Sequence, residues 1–240
     1  MRRFRVLLDA NVLVDAQVRD LFLTMAEAEL IEVRWSTEIL GEAERALVQR
    51  LHVDEERTHR LFVALTEAFM GACVEGFEHL IETLELPDSN DRHVLAAALH
   101  GECELLVTYN VKDFPEELPL SDLLVVSPDE ALFMLAGQFR DRIGSVVWQQ
   151  IARLKRPSLT PEAFLERLSG RAPRAAVALG AALGIEAYER IFHDVILSEA
   201  QTSAHGAVRD LLEAVEAGDQ EVVHGLIAEE FAEELVGHGQ

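Results

Sequence analysis

The sequence predicts an α/β protein, a parallel sheet sandwiched by helices and followed by an all-helical C-terminal region. Short apolar runs alternate with amphipathic helical patterns as far as residue 127, the order that builds a parallel sheet with crossover helices. That alternation implies a mostly parallel sheet covered by helices on both faces. Beyond Ser127 only helical patterns remain.

FRVLL, Phe4 to Leu8, is a short buried strand, and Asp9 to Asn11 reads as the turn after it. Asp20 to Ala28 has helical spacing, and Ile31 to Ser36 alternates as a second strand does. Ser36 is placed to cap the helix TEILGEAERALVQRL, and a further helix is expected over Glu55 to Cys73. In PDSNDRHVLAAALHGE a proline and a capping aspartate open an alanine-rich helix that Gly101 stops. ELLVTYN is the third strand and DLLVVSP the fourth. Ser127–Pro128 and Thr160–Pro161 then each begin a helix with a cap and a first-turn proline. Boundaries are expected near residues 127 and 174. They divide the chain into 1–127, a basic helical stretch 128–174 and an acidic helical region 175–240.

At 240 residues the chain is long enough for one large core, or for a core domain with a smaller appendage. No apolar stretch is long and charge-free enough to span a bilayer. Asp9 and Asn11 interrupt the one apolar run that follows a basic start, which argues against a secretory leader. Cys73 and Cys103 are far apart, as suits free thiols in a reducing cytoplasm rather than a disulfide or a cysteine zinc site. The formal net charge of −22 argues against broad, non-specific attraction to nucleic acid. A local basic patch remains: Arg140, Arg142, Arg153, Lys155, Arg156, Arg167, Arg171 and Arg174 share one stretch with only Asp141, Glu162 and Glu166.

Several acids sit where strands end or helices begin. Asp9 follows the first strand, Glu42 lies in the helix after the second, Asp88 and Asp91 flank the start of the alanine-rich helix, and Asn110 and Asp113 follow LLVT. In a parallel sheet these positions share the carboxyl edge, where α/β proteins bind ligands. Carboxylates gathered there can share a Mg²⁺ or Mn²⁺, ions that favour oxygen ligands. Such an ion activates water and stabilises charge on a phosphoryl group. Each acid also has an ordinary explanation. Asp88 and Asp91 fit a helix cap with an acid in the first turn. Glu42 fits a solvated face beside Glu38, Glu44 and Arg45, and Asp113 fits a turn. Asp9 is hardest to explain in that way, because an apolar strand leads straight into it and an unpaired buried carboxylate is costly.

LLDANVLVDA, WSTEILGEAERAL, PDSNDRHVLAAAL and LLVTYNVKDFP, in this order and at about this spacing, resemble a PIN domain, the nuclease fold of VapC-type toxins. The resemblance covers residues 3 to about 127 and implies a PIN-like sheet there. It further implies a Mg²⁺- or Mn²⁺-dependent endoribonuclease that hydrolyses RNA phosphodiesters and is held in check by a cognate antitoxin protein. The family's acidic metal site maps onto Asp9, Glu42 and Asp91, and Asp88 matches the extra acid of members reading D-x-x-D. Many members carry an aspartate where this chain has Asn110, so Asp113 is expected to supply that charge. Asn11 resembles the small polar residue that follows the first aspartate and hydrogen-bonds near the site. Lys112 is a candidate for steadying transition-state charge, or an ordinary surface lysine.

The stretch 128–174, with LTPEAFLERL, resembles the tail after some PIN domains of this subgroup. It would present Arg153, Lys155 and Arg156 to RNA phosphates, unless it is a solvated helix face. Trp148 reads as a buried aromatic at helical spacing more readily than as a base-stacking platform. Helices in 175–240 would cover the sheet, join two copies in a homodimer, or offer acidic surface to a basic partner. His193, His205 and His224 lack the spacing of a helical metal pair. Two other functions compete. One is a catalytically silent PIN-fold interaction module, favoured by Asn110 and the −22 charge. The other is a phosphatase with Asp9 as nucleophile, which would want a second aspartate where Asn11 stands.

Overall fold

The structure, a computed structural model, describes residues 3–115, 123–154 and 158–188. Lys155, Arg156, His193, His205 and His224 lie outside the described residues, as does nearly all of 175–240 beyond residue 188. Four parallel strands form one sheet in the order β2-β1-β3-β4, with β1 Phe4–Leu8, β2 Ile31–Arg34, β3 Leu105–Val107 and β4 Leu124–Val126. β1 is central, and Val6, Leu7 and Leu8 are fully buried.

The first helices differ from the sequence reading. Asp9 to Asn11 is no simple turn: Asp9 caps a five-residue helix, α1 Ala10–Val14. α2 spans Ala16–Glu27 rather than starting at Asp20, because the Asp15 side chain accepts from the Gln17 and Val18 N–H groups and opens the helix early. Ser36 caps α3 Thr37–Gln49 as expected, accepting from Ile39 N–H. α4 Glu55–Ala68 stops short of Cys73. Phe69 leaves the helical region to pack edge-on against buried Trp35, and the chain then runs beside Trp35, which exchanges backbone bonds with Ala72 and Val74.

A short helix unseen in the sequence, α5 Glu78–Ile81, precedes a 3₁₀ turn Ser89–Asp91 and α6 Arg92–His100. Gly101 does end α6, yet its φ is −72°, and Glu102 takes the left-handed conformation instead. Glycine is required there by close approach: a Cβ would lie 3.0 Å from both Ala97 O and Val74 Cγ2.

After β4 come α7 Pro128–Gln138, α8 Arg140–Arg153, α9 Pro161–Ser169 and α10 Pro173–Ala182. Ser127 and Glu130 form a capping box at α7, and Thr160 caps α9. These helices pack onto the sheet-bearing part within one compact unit, Met1–Leu183. α7 lies on β3, α8 on α2, and α10 on α7, α8 and α9. Gln17 is tied to both later helices, donating to Phe164 O at 2.8 Å and accepting from Gln150 Nε2 at 3.1 Å through its backbone. The buried face of α8 is Ile143, Val146, Val147, Gln150 and Ile151, which leaves Trp148 on the outside at 52% exposure. The expectation of a buried Trp148 is thereby corrected. No helix of the described residues is long and apolar enough to cross a membrane.

Candidate metal centre

Parallel register builds the site. Leu8 pairs with Val107, and Asp9 N–H continues the ladder to Val107 O at 3.1 Å, so Asp9 and Thr108 stand side by side at the carboxyl edge. Asp9 is only 6% exposed, and each of its carboxylate oxygens accepts at least one hydrogen bond. Oδ1 accepts from Ala10 N–H at 2.6 Å, and Oδ2 accepts from Asn11 Nδ2 at 2.6 Å and Thr108 Oγ1 at 2.7 Å. Thr108 Oγ1 accepts from Asn110 N–H at 3.1 Å, while Asn11 Oδ1 accepts from Tyr109 N–H at 3.1 Å. Asn11 and Asn110 thus orient the first aspartate and the loop after β3. Burial raises the Asp9 carboxyl above its ordinary 3.8, against the pull of the Thr108, Ala10 and Asn11 bonds.

The capping explanation separates Asp88 from Asp91. Asp88 does cap, accepting from Asn90 N–H at 2.9 Å. Asp91, at the N-cap of α6, makes no capping bond. Its carboxyl is pushed up to about 6, by partial burial first and then by the charges of Asp9, Asp88 and Asp113. Asp9, Asp88 and Asp113 thus lie within electrostatic reach of Asp91, although among the described residues the set whose ligand atoms all approach within 4.8 Å of one another is Glu38, Glu42 and His93. The fifth predicted acid, Glu42, reaches the group through a residue absent from the sequence reading. Its Oε1 lies 3.2 Å from Nε2 of His93, which is 7% exposed and close enough to oppose the rise at both Asp9 and Asp91. The signal for His93 was its place two residues after Asp91 on the same helix start. Lys112 is exposed, as an ordinary surface lysine would be.

Carboxylates close enough to raise the pKa of Asp91 are a donor set suited to a hard divalent ion. Asp91, with its oxygens free of capping, fits that role best. Among the predicted RNA-contacting cations, Arg153 does not join the acids: it pairs with Glu27 at 2.6 Å, at the far end of α2. Arg171 comes closer. Its Nε lies 2.7 Å from Asp15 Oδ2, which also accepts from the Tyr109 hydroxyl at 3.1 Å, so Arg171 stands beside the residue that bonds Asn11. Asp15, Ala16, Gln17, Arg167 and Arg171 line an open cleft of about 430 Å³ there.

The parallel sheet with flanking helices is consistent with a PIN-like α/β fold, and the family comparison agrees: residues 5–112 match the PIN domain profile. Residues 128–181 match the profile of the VapC50 C-terminal domain, so the chain carries a PIN domain followed by a VapC50-type C-terminal domain. It is similar to a Mycobacterium tuberculosis protein named "Putative ribonuclease VapC50", at 31% identity over 85 residues. That stretch is 35% of this chain and 50% of the relative, so the chain spans about half the length of the curated relative it matches. No solved structure matches the chain.

Proposed function

We propose that the chain is a metal-dependent endoribonuclease, the toxin of a cytoplasmic toxin–antitoxin pair, acting on RNA and restrained by a cognate antitoxin protein. The observation that carries this reading is Asp91: buried in part, crowded by Asp9, Asp88 and Asp113, and spared from capping. In this reading Asp9, Glu42 and Asp91 hold Mg²⁺ or Mn²⁺, with Asp88 and Asp113 adding charge around it. A bound divalent ion supplies activation of water and compensation for charge on the phosphodiester. The chain's own part is positioning. Thr108 and Asn11 fix the Asp9 carboxylate, and Asn110 N–H holds the Thr108 hydroxyl in turn. Arg171, which shares Asp15 with Tyr109, and Arg167, which lines the same cleft, would meet the RNA backbone as it leaves the centre, as arginines do at phosphates. Arg153, Lys155 and Arg156 would serve a more distant part of the RNA. Residues 128–174 act here as an extension of the nuclease, and the acidic region 175–240 as the contact for a second copy or for a basic antitoxin.

The test is cleavage of a mixed RNA pool with Mg²⁺ or Mn²⁺ by wild type, Asp9→Asn and Asp91→Asn. Cleavage by wild type alone, abolished by chelator, supports the reading. Folded wild type that binds metal and cuts nothing would instead favour the interaction module, to which the uncharged Asn110 already lends weight.

A further inference from the structure

Glu38 and Glu42 stand four residues apart on α3 and so share one face of it. His93, in the first turn of α6, projects onto that face. It turns a nitrogen to each carboxylate: Nε2 lies 3.2 Å from Glu42 Oε1, and Nδ1 lies 3.6 Å from Glu38 Oε2. The imidazole is more than nine-tenths buried, and Nδ1 is shielded from solvent with no hydrogen-bond partner. A buried ring nitrogen left unpaired is costly, and 3.6 Å exceeds hydrogen-bond reach. With the two glutamates as its partners, His93 therefore keeps Nδ1 unsatisfied.

A shared ion would take only one ring nitrogen, and Nδ1 is the one left without a hydrogen-bond partner. Neighbouring ligand atoms about 2.1 Å from one ion lie about 3.0 Å apart in an octahedral arrangement and about 3.4 Å apart in a tetrahedral one. One ligand atom from each of Glu38, Glu42 and His93 can be chosen so that all lie within 4.8 Å of one another. Two carboxylates and an imidazole also make a donor set different in kind from the all-oxygen acids at Asp9 and Asp91. Imidazole favours zinc-like transition ions, whereas Mg²⁺ prefers oxygen and water.

We propose that Glu38, Glu42 and His93 form a second divalent-ion site, beside the acidic centre, that takes a zinc-like ion in preference to Mg²⁺. Three protein ligands leave an open coordination position, as in zinc sites that exchange a ligand. The site shares Glu42 with the nuclease reading but does not depend on cleavage, and the two are tested on different readouts.

Co²⁺ is the probe, added to the full chain in a large excess of Mg²⁺ and followed by its visible absorption. Wild type binds one Co²⁺ that the Mg²⁺ does not displace. Glu38→Gln and His93→Gln each weaken that binding by more than about 10-fold, the loss seen even for residues that only support a metal's ligands. Asp91→Asn keeps it, while the nuclease reading requires that same variant to lose RNA cleavage. Absence of Mg²⁺-resistant Co²⁺ binding overturns the proposal, as does wild-type affinity in His93→Gln or equal loss in Asp91→Asn. Should His93→Gln fail to fold, half-exposed Glu38→Gln carries the test alone.

Discussion

Asp91→Asn should make the metal-free protein more stable while abolishing RNA cleavage. The carboxyl of Asp91 is raised from 3.8 to about 6 by partial burial and by three neighbouring carboxylates. Taken at full value, such a rise is about 3 kcal/mol of penalty on the ionised form. Asp91 is only partly buried, so solvent screening reduces this to on the order of 1 kcal/mol. Asparagine keeps the shape, removes the charge and loses no capping bond, since Asp91 makes none. The sign follows from linkage. A carboxyl whose folded pKa is raised costs nothing at low pH, where it is protonated in both states; its penalty develops as pH rises from about 4 and is complete above about 6. Thermal melts in chelator should therefore give the variant a Tm about 2–4 °C above wild type at pH 7.5, for a gain of about 1 kcal/mol in a protein of this size. At pH 4 the two should coincide. Adding Mn²⁺ should reverse the order, because wild type gains binding energy that the variant lacks. A variant less stable than wild type in chelator at pH 7.5, or a difference unchanged at pH 4, would refute the crowding of charge on which the site rests.

Thr108→Val removes a donor to the buried Asp9 carboxylate, and urea unfolding should show a loss of about 1–3 kcal/mol; an unchanged midpoint would mean Asp9 does not depend on it. Gly144→Ala places a Cβ 2.5 Å from Ala182 O, so overpacking between α8 and α10 should cost about 1–3 kcal/mol despite the better helix former. A more stable Gly144→Ala would show that α10 does not dock there. Of the two thiols, exposed Cys73 should react at once with a disulfide reagent at pH 8. Cys103, buried and pushed up to about 12, should react only on unfolding, and two fast thiols in native protein would contradict its burial. Arg171→Gln should weaken RNA binding and reduce the slope of log affinity against log salt by about 1; an unaltered slope removes Arg171 from the phosphate contacts.

The strands and several helix starts were legible because their causes are local. An apolar run ending in Asp9 marks a strand delivering a carboxylate to the sheet edge, and Ser36, Ser127 and Thr160 mark helix starts by hydrogen bonds that span two or three residues. Asp15 carries the same signal, and the helix it opens begins where such a cap would place it. The end of α4 was not legible. It is set by the packing of Phe69 on Trp35, a contact across 34 positions of sequence. His93 was hidden for a similar reason: its neighbours Glu38 and Glu42 belong to another helix, and only folding puts an imidazole against them.

The arginines show the same limit most sharply. In sequence Arg153 and Arg171 belong to one basic stretch, with nothing to rank them. In the fold α2 separates them: Arg171 pairs with Asp15, just before its first residue, and Arg153 pairs with Glu27, its last. Twelve helical residues span about 18 Å, so the two guanidinium groups serve opposite edges of the sheet. β1 leads into α1 and α2 from its carboxyl end, and α2 returns the chain to the start of β2; the Asp15 end therefore faces the acids and the Glu27 end faces away. Which cation lies on the side of the acids is thus decided by how α8 and α9 dock along α2, through Gln150, Gln17 and Phe164, and not by the density of positive charge in the sequence.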